Sequence, residues 1–371
     1  MKISEIINEL ELLAPQAYAE GFDNTGLLVG DANAEVSGIL VTLDTLETIV
    51  DEAIASDCNL IVSFHPIIFS GLKKITGKNY VERVVLKAIK NDIAIYAIHT
   101  ALDNSFNGVN AGICDRLQLS NRKILIPQKG TIKKLITYVP TEEATALKQA
   151  LFNVGAGSIG NYDNCSFSTN GTGTYKGNEN SNPVVGAKHE FIAADETQIS
   201  VTFPKHLESI IIKTLHEAHS YEEVAYEVLT LENTNQHIGM GMIGALKNPM
   251  EEADFLNYLK KQMNVAVVRH SSLRNKTIKK VAVLGGSGSF AIAAAKGAGA
   301  DVFITADLKY HDFYTAESEI LLADIGHYES EQFTKELLHT FLSKKISNFA
   351  PALSRGKVVL SKINTNPISY F

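Results

Sequence analysis

The sequence predicts an α/β protein: a core containing a parallel sheet, split in sequence by an inserted α+β domain of ferredoxin-like order. Three observations predict it. The first stretch alternates amphipathic segments with short, nearly continuous apolar runs, the pattern of strands buried on both faces and covered by helices. The middle of the chain changes to a β-α-β-β-α-β series. The last stretch returns to α/β alternation, so the two ends share a style that the middle lacks. A chain of 371 residues suggests two or three domains at about 150 residues each. The expected boundaries are 1–130 and 247–371 for the two halves of the core and 131–246 for the insert.

Each element has a local reason. SEIINELELL has helical apolar spacing, with Ser4 as the expected N-cap. GILVTL (38–43) and NLIVSF (59–64) read as buried strands on either side of the amphipathic LETIVDEAIA. NYVERVVLKAIKND is the next helix and leads into AIYAIH (94–99). In the insert, KKLITYVP (133–140) is a strand, and TEEATALKQALFNVG a helix with Thr141 as N-cap and Gly155 as stop signal. Residues 161–182 are rich in Asn, Gly, Ser and Thr, and 190–204 has two strand-like halves. KHLESIIIKTLHEAH is helical and VAYEVLTL (224–231) a strand. Beyond it, EEADFLNYLKKQM is a helix, KKVAVLG (279–285) a strand, SFAIAAAKGAGA a helix, DVFITAD and LLADIG strands, and ESEQFTKELLHTFLSKK a long helix.

Composition narrows the function. The net charge is −7, which disfavours nucleic acid as a partner, because phosphate binding wants a basic surface. No apolar run is long enough to span a bilayer, and the N-terminal MKISEIINELELLAP lacks a signal-peptide pattern. A cytoplasmic protein without a membrane partner is therefore expected. The three cysteines, Cys58, Cys114 and Cys165, are too few and too far apart for a disulfide framework or a Cys-x-x-Cys metal site.

The candidate chemistry sits at strand ends, where open α/β sheets bind their ligands. His65 follows LIVSF, His99 follows AIYAI with Asp103 four residues on, Asp307 follows DVFIT, and His327 follows LLADIG. His327 and Glu331 are spaced i, i+4, so an imidazole and a carboxylate share one helical face and can meet one ion. The same residues also read as a helix N-terminus with favourable acids, since Glu329 and Glu331 offset the dipole. Glu329 points to another face. With His65 and Asp103 the set reaches two nitrogen and two carboxylate donors, suited to zinc, iron or manganese, and the chemistry that fits is hydrolysis. LGGSGSF (284–290) matches neither dinucleotide nor P-loop patterns and fits tight strand-to-helix packing better than a phosphate cradle. Asp307, Lys309, Tyr310, His311 and Asp312 suggest a pocket wall. HSYEEVAYE (219–227) in the insert reads as turn chemistry.

GFDNTGLLVGD, SFHPIIFSGLKKI, AIHTALDN, GSIGNYDNCSFSTNGTGTY, HSYEEVAYEV, GGSGSF, TADLKYHD and DIGHYESE together resemble the Nif-three-like proteins. These are also called GTP cyclohydrolase I type 2 homologues, or dinuclear-metal-centre hexameric proteins. The likeness covers nearly the whole chain, in the long subclass whose insert is similar to a PII domain. It implies a metal centre of His65, Asp103, His327 and Glu331 holding one or two divalent ions per chain, with His99 behind the ligands. The family's His-His-Pro is Phe64-His65-Pro66 here, so Phe64 replaces a metal-binding histidine, and its Thr-Gly-Asp is Thr305-Ala306-Asp307. It also implies a homohexamer. Two functions are compatible with the likeness. One is a metal-dependent hydrolase of a nucleotide or other phosphorylated small molecule, with Asp307 and His311 moving protons or touching substrate. The other is a non-catalytic metal-binding adaptor or regulatory ring.

Overall fold

The computed structural model describes residues 1–349 and 357–371, and the chain divides into two compact units: Met1–Pro127 with Gln236–Phe371, and Gln128–Asn235.

The larger unit is built on two sheets. The first has the order Gly26–Val29, Ala94–Ala97, Leu60–Ser63, Gly38–Thr42, Lys357–Leu360. Its last four strands run parallel and Gly26–Val29 pairs antiparallel with Ala94–Ala97. The three central strands are buried at every residue, which is why they read as continuous apolar runs. The second sheet has the order Arg269–His270, Leu321–Asp324, Val302–Ala306, Thr277–Ser287, Gly239–Glu251, Ser120–Pro127. Its parallel centre is formed by Leu321–Asp324, Val302–Ala306 and Thr277–Ser287. Sequence periodicity leads one to expect a single sheet, because it reports burial and not which strands pair. The structure divides the strands between two.

One hydrophobic layer joins the two sheets. Ile39, Leu60 and Val62 from the first and Val281, Val302 and Leu321 from the second belong to one core with Ile3, Ile6, Leu10, Phe255, Leu259, Leu338 and Leu342. Those seven come from the helices Ile3–Leu13, Glu252–Met263 and Thr334–Phe349. Each fully buried side chain of this kind stabilises the layer by about 1.5–3 kcal/mol. The helices Glu47–Ala55 and Tyr80–Lys90 cover the outer face of the first sheet. Asn79 caps Tyr80–Lys90 through its side chain, which accepts from the Glu82 N–H. The first helix is capped differently from expectation. It starts one residue before Ser4, and the Lys2 N–H donates to Glu5 Oε2 at 2.6 Å.

The smaller unit contains Ile132–Pro140, Ala144–Asn153, Phe167–Lys176, Phe191–Pro204, Glu208–Ala218 and Tyr226–Thr230. This is the β-α-β-β-α-β series, and all its strand pairs are antiparallel in the order Phe167–Lys176, Phe191–Pro204, Ile132–Pro140, Tyr226–Thr230. Phe191–Pro204 forms one strand, not two halves, because its first part pairs with Phe167–Lys176, its last part with Ile132–Pro140, and the two ladders overlap at 196–200. Thr141 is not a cap; the helix starts later, at Ala144.

The sequence boundary at 246 runs too far. Gly239–Glu251 is a long strand of the larger unit's second sheet, paired with both Ser120–Pro127 and Thr277–Ser287. Its Gly239 faces Pro127 across the ladder, so the two ends of the larger unit at the insertion point are strand partners. Deleting 128–235 and closing the gap with a short turn should therefore leave a folded, cooperatively melting protein. Calorimetry checks this, and an unfolded deletion variant would contradict the two-unit architecture.

Candidate metal centre

The parallel strands of both sheets deliver their carboxyl ends to one place. Asp44 and His65 follow neighbouring strands of the first sheet, and His99 follows the next. Asp307 directly follows Val302–Ala306, and the short helix His327–Glu331 follows Leu321–Asp324. The ligand atoms of His65, His327 and Glu331 all lie within 4.8 Å of one another.

The histidines are held from behind. His65 Nδ1 lies 2.8 Å from Asp44 Oδ1, and His327 Nδ1 lies 2.7 Å from Asp307 Oδ2. His99 Nδ1 lies 2.9 Å from Asp23 Oδ1. A carboxylate on one ring nitrogen fixes the tautomer and turns the other nitrogen outward, the usual arrangement behind a metal-ligating histidine. The free nitrogens of His65 and His327 converge. His65 Nε2 is 3.1 Å and His327 Nε2 3.3 Å from the same oxygen, Glu331 Oε2.

That oxygen is buried and has no well-formed hydrogen bond, and neither has Asp103 Oδ1. Two buried carboxylate oxygens without a hydrogen-bond donor, one of them facing two imidazole nitrogens, fit a divalent cation, because a buried carboxylate needs compensating positive charge. Asp103 enters at the end of the short helix His99–Asp103, and its charge is felt by the cluster. Backbone space is arranged around Glu331. Gly286 has φ +70, and a Cβ there would lie 2.4 Å from Glu331 Oε1. The Gly286 N–H donates to Ser330 Oγ at 2.9 Å, which in turn donates to the His327 carbonyl. The glycine-rich segment thus seats the ligand-bearing helix.

Titration behaviour follows from this crowding. Burial disfavours a charged His65, but the Asp44 hydrogen bond and the Glu331 carboxylate outweigh it and push its pKa up to about 10. His327 is pushed up to about 9, chiefly by Glu331 against burial, with Asp307 adding to it. Burial acts to raise Glu331, yet the two imidazoles hold it below the usual carboxylate range. Asp103 is raised well above that range by burial first and by the Glu331 charge next. In the metal-free protein, protons on the two imidazoles balance the buried Glu331 charge.

A pH prediction follows for the metal-free protein. The folded-state pKa values of His65 and His327 lie above the ordinary 6.5. Their contribution to stability is therefore complete below about 6.5 and is lost as pH rises through about 9 and about 10. Thermal unfolding in chelator should show a falling Tm across that window, with a shallower fall in His65→Gln. Identical slopes in the two proteins would contradict the assignment.

The sequence candidates fare unequally. His65, His327 and Glu331 come together, with Asp103 electrostatically coupled to them. His99 packs edge-on against His65, ring centroids 5.2 Å apart. Asp307, expected to move protons or touch substrate, holds His327. His311 is exposed, and its ring contacts among the described residues are with Tyr310 and Tyr314, not with the cluster. The four candidate ligands, expected at the mouth of one sheet, are drawn from the ends of two. Glu329 is on another face as expected, but buried, with Oε1 accepting from Asn366. Asp44 and Asp23 escaped the sequence reading; Asp44 carried a signal, since it too follows a buried strand. Phe64 is fully buried, its ring centroid 4.8 Å from that of His65 and 5.5 Å from that of His99.

Comparison with known proteins agrees over the full length. A GTP cyclohydrolase 1 type 2 homolog of Bacillus subtilis (strain 168) is 37% identical over 369 residues, covering 99% of this chain and 98% of that protein. A protein of the same name from Staphylococcus epidermidis is 33% identical over 371 residues, with both chains fully covered. Among solved structures, a Bacillus cereus protein related to NIF3 superposes with a TM-score of 0.86 at 35% identity, covering 100% of this chain and 99% of the other. A Staphylococcus aureus protein gives 0.76 at 30% identity with the same coverage. The Duf34/NIF3 (NGG1p interacting factor 3) family model matches residues 1–367, and the chain belongs to that family.

Proposed function

We propose that this protein is a metal-dependent hydrolase of a nucleotide or another phosphorylated small molecule. The observation that carries the reading is the meeting of His65 Nε2 and His327 Nε2 on Glu331 Oε2, each ring backed by a carboxylate. His65, His327, Glu331 and Asp103 would hold the ion. A divalent ion bound there would act as a Lewis acid and bring a water's pKa toward neutrality. The chain's own residues set the rest. Asp44 and Asp307 keep the imidazoles aimed, and the buried Phe64 ring keeps one wall apolar. His99, anchored by Asp23 beside His65, is placed to hold or pass a proton. The names of the relatives point to GTP as the first substrate to try.

The test is turnover. Protein loaded in turn with zinc, iron and manganese is offered GTP and a panel of nucleotides and phosphate esters, with Glu331→Gln as blank. Turnover that needs metal and disappears in the variant is expected. Metal bound tightly without turnover of any member would favour the second reading, a non-catalytic metal-binding adaptor, to which the Phe64 replacement already leans.

A further inference from the structure

The His219–Glu223 segment of the smaller unit is not used by the metal centre. It borders a cavity of about 360 Å³ that lies wholly within that unit and is open to solvent. Ligand pockets of small molecules start at about this size.

The segment is fixed by His219, whose side chain is buried. Its Nε2 lies 2.9 Å from the Tyr138 carbonyl, and its Nδ1 accepts the Tyr221 N–H at 3.0 Å. A carbonyl can only accept and an N–H only donate, so the ring is the neutral Nε2–H tautomer, and it positions Tyr221. Tyr138, Tyr175 and Tyr221 all line the cavity. The Tyr175 and Tyr221 rings meet edge-on with centroids 5.9 Å apart.

Among these aromatic walls lies Glu196, only 9% exposed. It accepts a hydrogen bond from the Tyr221 hydroxyl at 2.9 Å, and among the described residues no ion pair reaches it. Its place is reserved by the backbone: a Cβ at Gly173 would lie 2.0 Å from Glu196 Oε2. Glu222 and Glu223 also line the cavity, against the exposed Lys176. A carboxylate withdrawn from water without a counter-charge calls for a cation. Aromatic faces carry negative potential and attract cations that are weakly hydrated. A hydrated metal ion would instead want six or more oxygen ligands, which tyrosine rings do not supply.

We propose that this cavity binds a small organic ammonium ion, with its charged head among the tyrosine rings and against Glu196. None of the residues lining it belongs to the candidate metal centre.

Choline chloride, and its neutral isostere 3,3-dimethylbutan-1-ol, are titrated into the full chain by calorimetry at constant ionic strength held with sodium chloride. Saturable choline binding at one per chain is expected, with the alcohol weaker by roughly tenfold or more. Glu196→Gln should weaken choline by a similar factor, whereas Glu142→Gln, exposed and outside the cavity, should not. Tyr221→Phe removes only a hydroxyl, keeps the ring, and frees the Glu196 oxygen, so it should bind choline at least as well as the native chain. No saturable choline binding at millimolar concentration would overturn the proposal. So would equal binding of the alcohol, an unchanged Glu196→Gln, or loss of binding in Tyr221→Phe.

Discussion

Glu331→Gln should leave the chain folded and empty it of metal. The substitution keeps shape and removes the charge of the oxygen on which two imidazoles converge at 3.1 and 3.3 Å. Changing an outer partner of a metal ligand alone costs about 10–100-fold in affinity, and loss of an anionic ligand should exceed that. The remaining donors do not complete a shell. His327→Ala should act in the same direction, since it removes a nitrogen donor and leaves Asp307 without its imidazole. Glu329→Gln is the control. It is buried on the same short helix, but Oε1 accepts from Asn366 at 3.0 Å, and an amide oxygen can do the same. Elemental analysis after equal loading should find metal in the wild type and Glu329→Gln and very little in the other two. Equal content in all four would remove the basis of the assignment.

The second large effect is a gain. Phe64 is fully buried beside His65 and His99, and its carbonyl accepts the His99 N–H at 2.9 Å. An imidazole at position 64 would place a nitrogen donor next to His99, whose own Nδ1 is already held by Asp23. Phe64→His should raise metal content toward two ions per chain. Without metal the buried imidazole should lower stability by about 1–3 kcal/mol, the usual cost of an unsatisfied buried polar group. Metal should restore the loss by mass action. Metal content equal to the wild type, and a Tm deficit that metal does not recover, would show that position 64 does not face an ion site.

The legibility of this protein in its sequence depended on how local each feature is. His327 and Glu331 share one helical turn, so spacing alone placed them together. The insert's β-α-β-β-α-β order was equally plain, because each element carries its own period. The end of the insert was misplaced because Gly239–Glu251 reads as one more strand, and only its pairing with Ser120–Pro127 and Thr277–Ser287 assigns it to the other unit. For the same reason one sheet was expected where there are two. Asp44 and Asp307 show the limit at the site. Both follow buried strands, yet which histidine each supports is decided across 21 and 20 residues by tertiary packing. The glycine-rich segment 284–290 reads as tight packing, but the side chain that needs the space at Gly286, Glu331, is visible only in three dimensions.

The central claim is a location: one divalent ion between the two sheets' strand ends. Crystals of the metal-loaded full chain, with diffraction recorded at the absorption edge of the loaded metal, test it most directly. The account predicts an anomalous peak at coordination distance, about 2.0–2.2 Å, from His65 Nε2, His327 Nε2 and a Glu331 oxygen, with Asp103 completing the set. A peak elsewhere in the chain, or none at this cluster in fully loaded protein, would contradict it.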